Sequence, residues 1–141
     1  MKFLLAVDGS EHSERAAAYL ADHLSVLKEV PEVLLVNVHQ PVASPRVRSY
    51  VGKEALEKYY SEESDVALAP AIKILTARGV AFTPVKLVGD VGKEIAQYAK
   101  LQNCTMVVMG THGHGSMGNL VMGSVATRVV AECSVPVLLI K

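Results

Sequence analysis

Short apolar runs alternate along the chain with segments in which apolar residues recur every three or four positions. The runs are typical of buried strands, and the recurrence is typical of helices that pack against them. Because each connection between parallel strands needs a crossover, usually a helix, the alternation predicts an α/β domain with a parallel sheet. The predicted strands cover residues 3–7, 33–38, 106–109 and 136–140, and a further one lies within residues 80–88.

The predicted helices carry apolar stripes, and turn residues mark their limits. Residues 52–78 form a helical pattern that Pro70 must kink or split. Residues 40–45 break regular structure, and we expect residues 46–50 to continue as a mobile loop. Asp90 is placed to cap the helix that follows it. The stripes are Ala16, Ala17, Leu20, Leu24 and Leu27 in the first helix, Val91, Ile95 and Ala99 after Asp90, and Val121, Val125 and Val129 in the last helix.

Right-handed crossovers leave few ways to order five parallel strands. The order 3-2-1-4-5 is the simplest that places Pro84 on an edge strand and buries strands one and four centrally. We therefore expect one domain over residues 1–141, an open five-stranded parallel sheet with helices on both faces. The topological switch then lies between strands one and four, so Asp8 and Gly110 end beside one ligand crevice.

Composition narrows the classes of partner. The 14 Lys and Arg residues balance the 14 Asp and Glu residues, so no overall field attracts nucleic acid. No apolar run approaches the length of about 18 residues that spans a bilayer, and the N-terminus does not resemble a signal peptide. We expect a cytoplasmic protein with neither nucleic acid nor membrane as partner. Cys104 and Cys133 lack metal-ligand spacing and are expected to be buried and reduced.

The residues with the clearest chemistry form a glycine-dense loop within residues 106–127. An apolar run precedes the loop, and Gly123-Ser124 opens a helical pattern after it. Glycine lets backbone N–H groups approach an anion, and a helix N-terminus adds further donors and a positive dipole end. The pattern therefore predicts a phosphate-binding site. Five of the ten glycines lie in this segment: Gly110, Gly113, Gly115, Gly118 and Gly123.

Two common nucleotide motifs do not account for this loop. Residues 113–118 match G-x-G-x-x-G, but a dinucleotide site needs an acidic residue about twenty positions later, at the end of the next strand. That region reads Val-Leu-Leu-Ile at residues 137–140. The G-x-x-x-x-G-K-[ST] phosphate loop is also absent, since Gly92-Lys93 is followed by Glu94.

The spacing that fits is Gly110, two residues, Gly113, nine residues, and then Gly123-Ser124. Together with Val-Asp-Gly-Ser at residues 7–10 and Val-Pro-Val-Leu-Leu-Ile at residues 135–140, it resembles the nucleotide-binding branch of the universal stress protein family over the whole chain. The resemblance implies a Rossmann-like fold of the adenine nucleotide alpha hydrolase type. It also implies bound ATP or AMP, with Mg²⁺ or Mn²⁺ as candidate companion ions, and a homodimer joined through strand 136–140.

The resemblance also implies how the nucleotide lies across the carboxyl ends of the strands. His112 is included among the candidate nucleotide contacts, although for His112 and His114 a phosphate hydrogen bond and simple solvent exposure both stay open, since two histidines alone make a poor metal site. Asn119 stands where the family often has a basic residue, which leaves AMP, ADP or weaker ATP binding open. The implied contacts are Asp8, Val38 and His39 with adenine and ribose, Met109 and Gly110 with ribose, and Gly113, Gly123, Ser124 and Val125 with the phosphates.

Efficient ATP hydrolysis needs a positioned water and cations that neutralise developing charge. No acid or glutamine stands at a recognisable spacing to orient a water, so no catalytic residue and no resident metal site are predicted. The first hypothesis is a nucleotide-dependent switch or sensor in stress adaptation, in which the occupied loop is ordered and read by partners. The alternatives are a slow Mg²⁺-dependent ATPase and a nucleotide-free dimeric scaffold.

Overall fold

The computed structural model describes residues 1–115, 119 and 121–141, so Gly118 of the glycine loop lies outside the described residues. Strands and helices alternate along the chain as predicted. The strands are β1 (Lys2–Ala6), β2 (Glu32–His39), β3 (Thr83–Val88), β4 (Met106–Gly110) and β5 (Val137–Ile140). The helices are α1 (Glu11–His23), α2 (Pro45–Val51), α3 (Lys53–Ala77), α4 (Val91–Leu101) and α5 (Ser124–Glu132), and a 3₁₀ turn (Leu24–Val26) follows α1.

The five strands form one parallel sheet in the order β3-β2-β1-β4-β5, which confirms the predicted topology. β1 lies between β2 and β4, with Leu4 opposite Leu34 on one side and Val107 on the other. Pro84 lies in the edge strand β3, where its missing N–H faces no neighbouring strand. β1 and β4 both end at the carboxyl edge of the sheet, and the chain leaves them in opposite directions along the sheet.

Alternate residues of the central strands pack against two helical layers, so both faces of the sheet are covered as predicted. This explains why the strand sequences are continuously apolar rather than alternating. α1 and α3 cover a face that includes Phe3, Leu5, Val33, Leu35, Val108, Ala16, Leu20, Leu68 and Leu75. α4 and α5 cover the other face, which includes Leu4, Leu34, Val36, Val107, Met109, Ile95, Ala99, Ala126 and Val129.

Residues 46–50, predicted to be a loop, instead lie in the helix α2. The Ser44 hydroxyl accepts a hydrogen bond from the Val47 N–H at 3.4 Å, and Pro45 occupies the first turn. A Ser-Pro pair is a turn signal but is also a good helix start, because proline has no N–H to leave unpaired there. The expectation of a loop was therefore wrong, although no residue of α2 is buried.

Three helix limits also differ from the apolar pattern. α3 continues through Pro70 over 25 residues, so the helix is not split there. α1 ends at His23, which leaves Leu24 in the 3₁₀ turn and Leu27 beyond it, although both still pack on the core. Val121 is 92% exposed and lies outside α5, because Gly123 is the N-cap and the helix begins only at Ser124.

Two expectations drawn from composition can be compared with the structure. Both cysteines are free, but only Cys104 is buried, and Cys133 is half-buried. Among the described helices, none is long and apolar enough to cross a membrane.

Candidate functional site

A cavity of about 1070 Å³ opens at the carboxyl ends of β1, β2 and β4, where the topology places the switch point. Asp8 and Gly110 both line it, so the crevice predicted from strand order is present. The ten residues predicted to contact a ligand all line this cavity: Asp8, Val38, His39, Met109, Gly110, His112, Gly113, Gly123, Ser124 and Val125.

Asp8 occupies the turn between β1 and α1 and is held there by local hydrogen bonds. Its carboxylate oxygen Oδ1 accepts from the Ser10 N–H at 2.9 Å and from the Ser13 hydroxyl at 2.7 Å. Its own N–H donates to the Ser13 hydroxyl oxygen at 3.0 Å. Ser10, rather than Asp8, caps α1 by accepting from the Ser13 N–H at 3.3 Å. Asp8 therefore fastens the turn while its second oxygen stays directed to the glycine loop.

The protonation of Asp8 follows from these contacts. Burial alone would raise the pKa of its carboxyl, because it disfavours the charged form. The hydrogen bonds from Ser10 and Ser13, together with the nearby His114, outweigh that effect and lower the pKa of Asp8 below its ordinary value. At neutral pH the cavity therefore contains a fixed carboxylate that can accept further hydrogen bonds.

The glycine loop returns to Asp8 from the end of β4. The His114 N–H donates to the Asp8 oxygen Oδ2 at 3.3 Å, and its ring Nε2–H donates to the Asp8 carbonyl at 3.0 Å. Gly113 passes so close that an added Cβ would lie 2.4 Å from Oδ2. Any larger residue at 113 would therefore displace the Asp8 carboxylate, which Ser10 and Ser13 hold, so the approach of the loop favours glycine there before any ligand is considered.

The N-terminus of α5 forms the opposite wall of the cavity. Gly123 is its N-cap and is tied to the end of β4 by a hydrogen bond from its N–H to the Thr111 carbonyl at 2.7 Å. The first N–H groups of a helix have no intrahelical partner, and here Ser124, Val125 and Ala126 line the cavity. A nine-residue helix thus directs its positive end at the space beside the glycine loop.

Gly110 has a packing role that spacing alone did not reveal. An added Cβ there would lie 2.7 Å from the His12 Cβ and 2.8 Å from the His12 carbonyl carbon. The absence of a side chain at Gly110 lets the first turn of α1 lie directly against the end of β4. Gly110 lines the cavity, but this contact with α1 is sufficient to require glycine.

The end of β2 supplies the third wall. Val38 is buried, and Asn37 donates from Nδ2 to the Val7 carbonyl at 2.9 Å, which satisfies the last carbonyl before Asp8. His39 packs against Tyr59 and Tyr60 of α3, with ring centroids 5.7 and 5.4 Å away. These contacts fix the rim of the cavity where β2 ends.

Sequence reasoning missed the wall formed by α3. Glu63, Val66, Ala67 and Pro70 all line the cavity, although they belong to no recognisable motif. Gly9 adopts φ +80° and brings the β1–α1 turn against this helix, since its added Cβ would lie 3.2 Å from the Ala67 Cα. The sequence signal that could have indicated this wall was Pro70. Proline destabilises a helix interior, so its presence within a helical pattern needs an explanation.

The ionisable side chains in the described cavity lining are carboxylates and histidines. The described lining includes two carboxylates, Asp8 and Glu63, and three histidines, His39, His112 and His114. The sequence has no lysine or arginine between Lys100 and Arg128, so histidine supplies the basic side chains of the glycine loop. Within the described ranges, no group of three or more His, Cys, Asp or Glu side chains is arranged to hold a metal ion.

Comparison with known proteins gives one consistent family. The model of the universal stress protein family matches residues 1–141. A universal stress protein of Thermus aquaticus is 32% identical over 139 residues, which cover 98% of this chain and 96% of that protein.

Solved structures agree on the fold. A universal stress protein from Lactobacillus plantarum superposes with a TM-score of 0.80 at 19% identity, covering 100% of this chain and 97% of that one. One from Archaeoglobus fulgidus, in complex with dAMP, has a TM-score of 0.69 at 21% identity, covering 100% and 98%. One from Arabidopsis thaliana with AMP bound has a TM-score of 0.66 at 19% identity, covering 100% and 91%. With the family model matching from the first residue to the last, the chain belongs to the universal stress protein family.

Proposed function

We propose that this protein binds an adenine nucleotide in the cavity at the carboxyl ends of β1, β2 and β4. The observation that carries the proposal is the convergence of the glycine loop, the N-terminus of α5 and the Asp8 carboxylate on one cavity of about 1070 Å³. Backbone N–H groups and a helix dipole suit a phosphate, and a carboxylate suits ribose hydroxyls. Family members that were solved with AMP and dAMP support the choice of adenine nucleotide.

The wall chemistry orients the ligand. The phosphates lie beside Gly113, Gly123, Ser124 and Val125, because the N-terminus of α5 and the glycine loop meet there. The ribose lies between Asp8 and the Met109–Gly110 end of β4, and the adenine lies beside Val38 and His39. We assign His112 a hydrogen bond to a phosphate rather than a metal-binding role, because two histidines alone make a poor metal site.

The charge balance of the lining favours a ligand with one phosphate over one with three. Two carboxylates lie in the described lining, and each extra phosphate adds negative charge without a permanent cation in the glycine loop to offset it. Both oxygens of Asp8 already accept hydrogen bonds, so a divalent ion would take most of its ligands from phosphate and water. Mg²⁺ or Mn²⁺ would thus act as a companion of ATP that reduces its charge.

Calorimetric titration with AMP, ADP and ATP tests both the function and the charge argument. In EDTA we expect AMP to bind about tenfold more tightly than ATP, since repulsion by a nearby carboxylate costs on the order of 1 kcal/mol. Mg²⁺ is expected to narrow that difference by strengthening ATP binding and leaving AMP almost unchanged.

Two other titration results would contradict these expectations. Tighter binding of ATP than of AMP in EDTA would contradict the charge argument and leave nucleotide binding intact. If none of the three nucleotides produced heat, and denaturation of the purified protein released no nucleotide, the proposal of nucleotide binding would be wrong. The nucleotide-free scaffold would then be the better interpretation.

We propose that nucleotide occupancy is the state that partners read, so that the protein acts as a switch or sensor rather than as an enzyme. The Asp8–His114 contacts connect the glycine loop to the turn before α1. A ligand that orders the loop therefore also stabilises the position of this turn. A ligand that binds only the arrangement with this contact formed increases its population by mass action.

We also propose a homodimer that forms through β5. The Val107 and Thr111 N–H groups donate to the Pro136 and Ile140 carbonyls, each at 2.9 Å, so β4 uses alternate residues of β5. The backbone groups of Val137 and Leu139 therefore turn toward the other side, where no described strand pairs with them. An apolar strand with such an open edge favours pairing with a second copy.

Sedimentation velocity tests the homodimer. We expect the unmodified chain to sediment with twice the mass of one protomer. Leu139→Pro removes an outward N–H while sparing the bonds to β4, and it is expected to shift the protein to monomer with its helix content unchanged. A monomeric unmodified chain, or a fully dimeric Leu139→Pro variant, would contradict pairing through β5.

A further inference from the structure

The wall of the cavity that α3 forms contains a proline within a helix. Pro70 lies well inside α3, which extends from Lys53 to Ala77, and Val66, Ala67 and Pro70 all line the cavity. Proline in a helix interior is strongly unfavourable because it removes one backbone hydrogen bond and crowds the preceding turn. The position of this proline beside a ligand cavity therefore calls for a functional explanation.

Pro70 affects one particular acceptor. In an α-helix the N–H of each residue donates to the carbonyl four residues earlier, which here would be the carbonyl of Val66. Proline has no N–H, so residue 70 cannot make that bond. Helix carbonyls are directed toward the C-terminal end, from Val66 toward Pro70, and both residues belong to the cavity lining.

The surroundings of α3 indicate which end of the cavity this wall adjoins. Ala67 lies against Gly9, with its carbonyl oxygen 3.2 Å from the position of an added Gly9 Cβ. Gly9 follows Asp8, so the α3 wall adjoins the end of the cavity assigned to the nucleoside. The N-terminus of α5 and residues 113–115 line the phosphate end, on different elements.

A second group on the same wall has matching chemistry. Glu63 lines the cavity one turn of α3 before Val66, and its carboxylate also accepts hydrogen bonds. The lining residues of this wall thus include two acceptors, the Glu63 carboxylate and the Val66 carbonyl. A ligand that complements this wall carries hydrogen-bond donors on the edge next to it, such as an exocyclic amino group or ribose hydroxyls.

We propose that Pro70 is a specificity-determining residue, because it leaves the Val66 carbonyl available to accept a hydrogen bond from the nucleoside part of the bound nucleotide. This inference rests on the proposed adenine-nucleotide function. The donor is the 6-amino group of adenine or a ribose hydroxyl, both of which a nucleotide carries into this end of the cavity. The unfavourable proline is retained in the helix because it provides this acceptor.

The substitution Pro70→Ala tests the proposal, since alanine restores the N–H that pairs the Val66 carbonyl within the helix. We expect the variant to be more stable to thermal unfolding and to bind AMP about fivefold more weakly, the loss expected for one neutral hydrogen bond. A gain in stability combined with a loss of affinity distinguishes this role from a general disturbance of the fold. Pro84→Ala, the same substitution on the edge strand β3 away from the cavity, is the control and should leave AMP affinity unchanged.

Three analogues identify the donor: purine riboside 5′-monophosphate, 2′-deoxy-AMP and 3′-deoxy-AMP. Each lacks one donor of AMP. We expect one of them to bind the unmodified chain more weakly than AMP does, and to bind Pro70→Ala with the same affinity as the unmodified chain.

Two outcomes would overturn the proposal. Unchanged AMP affinity in Pro70→Ala is one, and an equal loss for AMP and all three analogues is the other, because it would reflect lost contact with the proline ring. Failure of the unmodified chain to bind AMP at all would instead contradict the proposed function. The two failures are therefore distinguishable in one series of titrations.

Discussion

Replacing Gly113 with alanine is expected to weaken adenine-nucleotide binding by about a hundredfold or more. The new Cβ would lie 2.4 Å from the Asp8 oxygen Oδ2, so the carboxylate and the loop cannot both keep their positions. A shift of the carboxylate breaks the bond from the His114 N–H, and a shift of the loop moves it relative to the N-terminus of α5. Loss of two hydrogen bonds that involve charged groups corresponds to roughly 3 kcal/mol, or about two orders of magnitude in affinity.

Calorimetry with AMP measures this effect, and Gly115→Ala is the matched control. Gly115 lies in the same loop, but an added Cβ there would meet no atom of the described residues within 4 Å, its chain neighbours aside. We expect Gly115→Ala to bind AMP within a few-fold of the unmodified chain. If Gly113→Ala bound AMP as well as Gly115→Ala does, the close approach of the loop to Asp8 would have no part in forming the phosphate site.

Replacing Gly110 with alanine is expected to have its largest effect on folding. The new Cβ would collide with both the side chain and the backbone of His12, and backbone atoms cannot rotate away. α1 would have to move as a unit, which disturbs the packing of Ala16 and Ala17 in the core. We expect the free energy of unfolding to fall by about 3 kcal/mol, at the upper end for an overpacked core.

Urea denaturation followed by circular dichroism measures that loss, with Gly115→Ala expected to unfold at the same urea concentration as the unmodified chain. Gly113→Ala and Gly110→Ala should have different main effects, because the first lowers mainly the affinity for nucleotide and the second lowers mainly the free energy of unfolding. An unfolding midpoint of Gly110→Ala equal to that of the unmodified chain would contradict the packing role assigned to Gly110.

The order of the strands was predictable because a few residues restrict it strongly. Pro84 excludes a central position for β3, and the continuously apolar β1 and β4 require burial on both faces. Helix limits were less predictable, because one local signal can have two meanings. Ser44-Pro45 can break a structure or begin a helix, and only the surrounding chain determines which occurs.

The candidate site also has parts that the sequence predicted and parts that it did not. The glycine loop and the start of α5 were predictable because a glycine-dense loop before a helix N-terminus is a pattern typical of phosphate sites. The α3 wall was not, since the residues that form it, Glu63, Val66, Ala67 and Pro70, belong to no recognisable motif. The role of Asn37 was also not predictable, because it lies within an apolar strand and its amide donates a hydrogen bond to the Val7 carbonyl 30 residues earlier.

The hydrogen bonds between Asp8 and His114 join residues that lie 106 positions apart in a chain of 141. During synthesis β1 can pair with β2 early, but its other edge has no partner until β4 emerges. The ligand cavity is therefore among the last features to form, and it depends on contacts of high sequence separation that slow folding. If the cavity binds nucleotide as proposed, ligand binding can stabilise the chain only after β4 and the glycine loop have joined β1.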